Sequence, residues 1–173
     1  LNYAETRKTL STIYRVPAFK WLDGWYTAAL QANDEQTDYI DINNAKLILS
    51  RSGQINEQWN VVASLNALRE RWRYGNANTA FLNDYQYATL AYPEVRGEYV
   101  GVDDRLFPRS GISGNLTLRG GVENAGSDTS FGQIHLNARW FLAPTTGSRL
   151  LLRGELGHTF TDELVGMPPS LRF

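Results

Sequence analysis

The sequence predicts an all-β protein, an antiparallel up-and-down sheet that forms part of a barrel wall. Stretches of roughly ten residues alternate apolar with polar side chains, and each stretch ends at a segment rich in turn-forming residues. Because side chains along a strand point to opposite faces with a period of two, each stretch has one apolar and one polar face. No apolar run approaches the ~18 residues of a membrane helix.

Residues 132–141 show the alternation most clearly. One parity is apolar and the other polar: Ile134, Leu136, Ala138 and Trp140 against Gln133, His135, Asn137 and Arg139. This segment is the seventh of eight predicted strands. The eight cover residues 9–16, 24–32, 39–51, 58–72, 85–100, 112–122, 132–141 and 148–160.

The breaks between the first five strands follow from residues that disfavour a ladder. Pro17 is expected to end the first strand, because proline cannot donate a ladder hydrogen bond. The second to fifth strands are separated by the polar residues 33–38, the turn at 52–54 and the Gly/Asn-containing segment 74–78. Pro93 lies within the fifth strand, so we expect a bulge or a sheet edge there.

The predicted turns 103–111, 123–128 and 143–147 separate the fifth to eighth strands from one another. In the eighth strand Leu150, Leu152 and Leu156 alternate with Arg153 and Glu155. The segment after Thr161 is irregular and contains Pro168-Pro169.

Composition excludes some classes of protein. The net charge is −1, with 17 basic and 18 acidic residues, which argues against binding of nucleic acid. The absence of cysteine excludes disulfides and thiolate metal sites. The mean hydropathy of −0.38 is compatible with a membrane barrel, whose polar lumen face dilutes its apolar band. Since Leu1 is not an initiator Met and no signal peptide precedes it, we expect residues 1–173 to be one partial barrel domain without periplasmic repeats.

The positions of aromatic residues favour lipid over a soluble core on the apolar face. They concentrate at two levels with aliphatic residues between them, as in the aromatic girdles of membrane barrels. The alternatives are that aromatic residues simply favour strand ends, or that a lipocalin-like barrel hides the apolar face inside. One level comprises Phe19, Trp21, Trp25, Tyr26, Trp59, Tyr99, Phe107, Trp140 and Phe141; the other comprises Tyr39, Trp72, Tyr74, Phe81, Tyr85, Tyr87, Phe131 and Phe160.

Few residues suggest a catalytic, metal-binding or ionic role. His135 is on the polar parity, and His158 lies close to Asp162 and Glu163, but two histidines on different strands without cysteine do not predict a zinc site. Four polar-parity side chains, Arg119, Arg139, Arg153 and Glu155, could form a cross-strand ionic ladder, either as ordinary wall salt bridges or as a charged lumen. The sequence predicts no catalytic, cofactor-binding or metal-binding residue and no cofactor.

Two motifs resemble the outer-membrane assembly factor superfamily that includes BamA and TamA. Residues 103–111 (DDRLFPRSG) resemble a turn of the form acidic pair, spacer, Phe-Pro-x-x-Gly, and residues 167–173 (MPPSLRF) resemble the approach to the family's inward-folded loop. The strand order is most similar to the middle of the TamA barrel. The resemblance implies a sixteen-stranded barrel in the bacterial outer membrane. The gate and the loop arginine of the family fall outside this sequence.

The resemblance implies an insertase that helps β-barrel or autotransporter proteins to fold and insert, in contact with membrane lipid, with its substrate proteins and with a periplasm-spanning partner protein. On this hypothesis the protein is not an enzyme. The alternative is a self-contained eight-stranded barrel for transport or small-ligand binding, which would need a ladder between its first and last strands. A barrel-type hydrolase is a third hypothesis, with His158 as the one base near a rim and no evident serine partner.

Overall fold

The structure is a computed structural model that describes residues 2–3, 7–75, 84–161, 164 and 166–172. These residues form one antiparallel sheet in which each strand pairs with the strands before and after it in the chain. The predicted all-β, up-and-down architecture is confirmed. The strands are β1 (Asn2–Tyr3), β2 (Arg7–Ala18), β3 (Gly24–Gln36), β4 (Ile40–Gln54), β5 (Trp59–Tyr74), β6 (Gln86–Val102), β7 (Gly111–Gly121), β8 (Phe131–Leu142) and β9 (Leu150–Thr161).

All eight predicted strands are present, but most are longer than expected. β3 continues through residues 33–36, where the sequence predicted a polar loop. There the side-chain amide of Asn33 donates a 3.1 Å hydrogen bond to Asn44 on β4, so the ladder continues with polar residues. The short β1 was not predicted. Among the residues that the structure describes, β9 pairs with β8 alone, so the ladder that a self-contained eight-stranded barrel needs is not seen.

The expectation that Pro17 ends the first strand is wrong. Pro17 lies within β2, opposite Trp25 of β3. The described ladder between β1 and β2 involves only Lys8 and Thr9 of β2. On its other side, therefore, β2 has no described strand partner at Pro17, and a proline at such an edge position breaks no hydrogen bond.

Pro93 produces a local edge and no bulge. The β5–β6 register passes through Pro93 without an offset, with Leu65 opposite Pro93 and Asn66 opposite Tyr92. On the other side, the β6–β7 ladder ends at Glu94, opposite Arg119. The expected bulge is therefore wrong, whereas the expected edge is confirmed.

The connection between β7 and β8 covers this edge of β6. The amide of Ala91 donates to the carbonyl oxygen of Gly126 at 3.0 Å, and the amide of Asp128 donates to the carbonyl oxygen of Thr89 at 2.9 Å. The carboxylate of Asp128 accepts a 2.6 Å hydrogen bond from the amide of Thr89. These contacts satisfy backbone groups that a sheet edge would otherwise leave unpaired.

The two faces of the sheet differ in chemistry. Leu116 of β7 lies opposite Leu136 of β8, which lies opposite Leu156 of β9, and all three are exposed. We call this side the apolar face. On the other side, which we call the polar face, Thr117 lies opposite His135. The predicted alternation is therefore present, with its apolar side uncovered.

The buried core lies on the polar face at one end of the sheet. Residues 167–172, which we call the return segment, fold onto this face and contain a 3₁₀ helix, Pro169–Leu171. Met167 and Leu171 pack in one cluster with side chains of β5, β6 and β8. These partners are Leu68, Leu90, Tyr92 and Phe131. We call this end of the sheet the Met167 end, and the opposite end, with the turns 19–23, 55–58, 103–110 and 143–149, the Asp103 end.

Candidate functional site

Gln133 fixes the return segment to the wall. Its side chain is buried on the polar face of β8, and its Nε2 donates hydrogen bonds to the carbonyl oxygen of Leu171 at 2.7 Å and to Thr159 Oγ1 at 2.8 Å. Its Oε1 accepts a 2.6 Å hydrogen bond from Nε of Arg119 on β7. Because the carbonyl oxygen of the Gln133 amide is held by Arg119, its NH₂ group is oriented towards the return segment.

Glu70 is a second anchor, and its side chain is fully buried on β5. One carboxylate oxygen accepts a hydrogen bond from the amide of Ser170 at 3.2 Å, and the other accepts one from Nδ2 of Asn44 at 3.3 Å. A buried carboxylate is costly unless it is hydrogen-bonded, and here both oxygens have donors. One of those donors belongs to the return segment, so the segment helps to compensate the burial of Glu70.

Arg172 closes the return segment on itself and on β5. Its Nε and Nη2 donate to the carbonyl oxygen of Met167 at 3.0 and 2.6 Å, and its Nη1 donates to the hydroxyl of Tyr74 at 2.9 Å. Residues 167–172, which the motif resemblance led us to expect before an inward-folded loop, pack against the polar face of the sheet. Phe173 itself lies outside the described residues.

The predicted ionic ladder is only partly formed. Arg119 approaches Glu94 of β6 at 4.0 Å, but Arg139 and Arg153 lie directly opposite each other as like charges. Glu155 pairs with Nε2 of His135 at 2.7 Å and not with an arginine. The prediction is only partly correct because parity places a side chain on a face, whereas register decides which residue lies opposite it.

His158 lies on the apolar face, where its ring packs edge-on against Phe160 with 4.4 Å between ring centroids. Asp162 and Glu163, expected close to it, lie outside the described residues. Within the part of the chain that the structure describes, no group of three or more His, Asp or Glu side chains is placed to hold a metal ion.

The turn at 103–110 is organised by its two aspartates. Oδ1 of Asp103 accepts hydrogen bonds from the amides of Asp104, Arg109 and Ser110 at 3.0, 2.9 and 3.0 Å. These amide donors hold the pKa of Asp103 below its ordinary value, because they stabilise the ionised carboxylate. Oδ1 of Asp104 accepts from the amides of Leu106 and Phe107 at 2.8 and 3.3 Å. In this turn the two carboxylates of the motif therefore accept the hydrogen bonds of backbone amides that would otherwise be unpaired.

Gly111 and two arginines complete the same turn. Gly111 has φ +118°, and a Cβ there would come within 2.2 Å of the carbonyl oxygen of Gly101, so only glycine fits. Arg105 donates to the carbonyl oxygen of Glu57, and Arg109 to that of Thr146. Three neighbouring turns of the Asp103 end are thus joined by arginine–carbonyl hydrogen bonds.

The predicted aromatic girdle is correct for some residues and wrong for others. On the apolar face, Trp59, Tyr99 and Trp140 lie towards the Asp103 end, and Tyr87 and Phe160 lie towards the Met167 end. Trp72, Phe131 and Phe141 are instead buried on the polar face, so they are not girdle residues. Trp72 is 2 % exposed because β5 is covered here by the return segment, which parity alone does not reveal. Phe81 lies outside the described residues.

Sequence reasoning missed Glu70, Gln133 and Ser170. A signal for Glu70 was present, because it shares its parity on β5 with Leu68 and Trp72, and a carboxylate among large apolar residues needs a partner. No local pattern singled out Gln133 or Ser170.

Comparison with known proteins shows the fold. No family model and no curated protein sequence matches the chain. Among solved structures, the chain is similar to the crystal structure of BamA from Haemophilus ducreyi lacking POTRA domains 1–3, with a TM-score of 0.74 and 13 % sequence identity. The match covers 90 % of this chain and 34 % of that chain, so the present chain spans about a third of the BamA structure. The sheet is therefore a segment of a BamA-like β-barrel wall. No helix of the described residues has the length and apolarity needed to cross a membrane.

Proposed function

We propose that this chain is a wall segment of an outer-membrane insertase that assists the folding and insertion of β-barrel or autotransporter proteins. One observation carries the proposal: a BamA-like wall whose apolar face is uncovered while its polar face holds a return segment. Leu136, Leu150 and Leu152 are 39, 46 and 45 % exposed. Such a surface needs lipid or another apolar partner.

The proposed role is assistance without covalent chemistry. Backbone groups within lipid must be paired, so a substrate strand that enters the membrane needs a template edge or a locally thinned bilayer. Lipid, substrate proteins and a periplasm-spanning partner protein are the proposed partners. The strand order and turn spacing of the chain resemble the middle of the TamA barrel, which supports an insertase of that kind. The structure assigns none of these steps to a particular residue.

The test is assisted folding by the whole protein in liposomes of bacterial phospholipid. A urea-unfolded outer-membrane barrel is added, and its folding is followed by the mobility shift of unheated samples on gels. We expect faster folding than in liposomes that carry an unrelated barrel at the same protein-to-lipid ratio, a control for non-specific membrane defects. Equal folding rates would overturn the proposal. Solute flux through the same liposomes tests the alternative of a transport barrel.

A further inference from the structure

On the apolar face, the side chains of β5 change from apolar to basic at one point. Successive residues on the apolar face run from Trp59 to Ala67, and the next three are all arginine, Arg69, Arg71 and Arg73. The apolar stretch is close to the ~9–11 residues that a transmembrane strand needs. The arginines therefore begin where an apolar band of membrane thickness ends, at the Met167 end of the sheet.

An aromatic ring and one carboxylate hold two of these three arginines in place. The guanidinium groups of Arg71 and Arg73 lie over the ring of Tyr85, with 4.6 and 4.7 Å from Cζ to the ring centroid. Asp41 of β4 accepts a 2.6 Å hydrogen bond from Nη2 of Arg73. One of the three positive charges is thus paired, and the stacked side chains remain on the apolar side of the sheet.

The side chains directly opposite the other two arginines carry no negative charge. Arg69 lies between Ala45 and Thr89, and Arg71 lies between Asn43 and Tyr87. Both arginines are exposed.

We propose that Arg69 and Arg71 bind the phosphate groups of membrane lipids in the leaflet at the Met167 end. This inference rests on the proposed membrane location. Lipid phosphates lie just beyond the hydrocarbon band, at the level where these guanidinium groups begin, and the planar guanidinium matches phosphate oxygens with two parallel hydrogen bonds. An acidic protein partner is the competing occupant. Continuity of the row with the apolar face favours lipid, since the groups next to the acyl chains are headgroups.

The experiment measures lipid retention by the whole protein in detergent micelles containing phosphatidylglycerol, with bound lipid counted by native mass spectrometry. The test variant is Arg69→Gln with Arg71→Gln. The matched control, Arg139→Gln with Arg153→Gln, removes the same charge from the polar face. We expect a several-fold loss of retained lipid in the test variant and no loss in the control. Excess inorganic phosphate should not displace the lipid.

Two results overturn the inference. Equal lipid retention by both double variants would show that the arginine row does not select lipid, and co-purification of an acidic protein in place of lipid would assign the row to that partner. Insertion of each variant into liposomes is measured in parallel. If neither the native protein nor any variant inserts, the proposed membrane function fails as well, whereas normal insertion with unchanged retention contradicts this inference alone.

Discussion

The side-chain amide of Gln133 donates a 2.7 Å hydrogen bond to the main-chain carbonyl of Leu171, 38 residues further along the chain. The bond joins the wall of the sheet to the return segment at a buried position. Because Arg119 holds the other end of the same amide, the contact is part of a connected polar chain and not an isolated bond.

Substitution of Gln133 by leucine is expected to release the return segment. The change leaves the Leu171 carbonyl and Arg119 Nε without their donor and acceptor, at a cost of about 1–3 kcal/mol in the free energy of unfolding. Limited trypsin digestion should cut after Arg172 faster than in the native protein. Thr117→Val, on the polar face of β7, is the control and should leave cleavage unchanged. Unaltered cleavage of the Gln133 variant would contradict the anchoring role.

The turn at 103–110 should lose order in acid. Since amide donors lower the pKa of folded Asp103, its stabilising effect is complete above the unfolded value of ~3.9 and is lost as the pH falls through the lowered folded value. The amide resonances of Arg109 and Ser110, followed by NMR against pH, should report this loss. Asp103→Asn should abolish that pH dependence, whereas Asp38→Asn, in the turn between β3 and β4, should preserve it. Identical titrations for all three proteins would refute the assignment.

Trp21 is held in a strained backbone conformation. Its φ is +73°, its side chain is fully exposed, and Arg51 donates to the carbonyl oxygens of Lys20 and Leu22 on either side at 3.2 and 2.5 Å. A left-handed conformation costs a non-glycine residue roughly 1–2 kcal/mol. The free energy of unfolding of Trp21→Gly should therefore be about 1 kcal/mol higher than that of Trp21→Ala. Both variants lack the indole ring, but only the alanine variant retains the strain. Equal unfolding free energies for the two variants would show that the turn is unstrained.

The sequence predicted the parts of the fold that depend on alternation. The eight long strands and the apolar parity of Leu116, Leu136 and Leu152 follow from a period of two. The strand order follows from the short connections between consecutive strands. Strand ends were less accurate, because beyond the apolar band both faces are polar and the hydrophobic periodicity vanishes. Asn33 lies opposite Asn44 on the polar face, and Asp34 lies opposite Asn43 on the other face.

Contacts between distant segments could not be predicted. Glu70 and Ser170 are 100 residues apart, and nothing local to either indicates that their groups meet. The same limit explains why Trp72 and Phe131 were wrongly predicted as girdle residues. The alternation of the sequence does not show that the return segment covers this part of the sheet. The turn at 103–111 was predicted from its sequence motif alone. The structure gives the physical reason for the motif, because backbone amides of the turn donate hydrogen bonds to the carboxylates of Asp103 and Asp104.

The most direct test of the account compares arginine substitutions at two adjacent residues of β8, Leu136→Arg on the apolar face and Asn137→Arg on the polar face. Folding free energies are measured by insertion of the whole protein into liposomes. Leu136→Arg should cost about 2–4 kcal/mol near the bilayer midplane, and Asn137→Arg should cost little, since the new cation faces Glu155 across the ladder. If Asn137→Arg is the costly substitution and Leu136→Arg is tolerated, lipid does not contact the apolar face and the membrane-wall account is wrong.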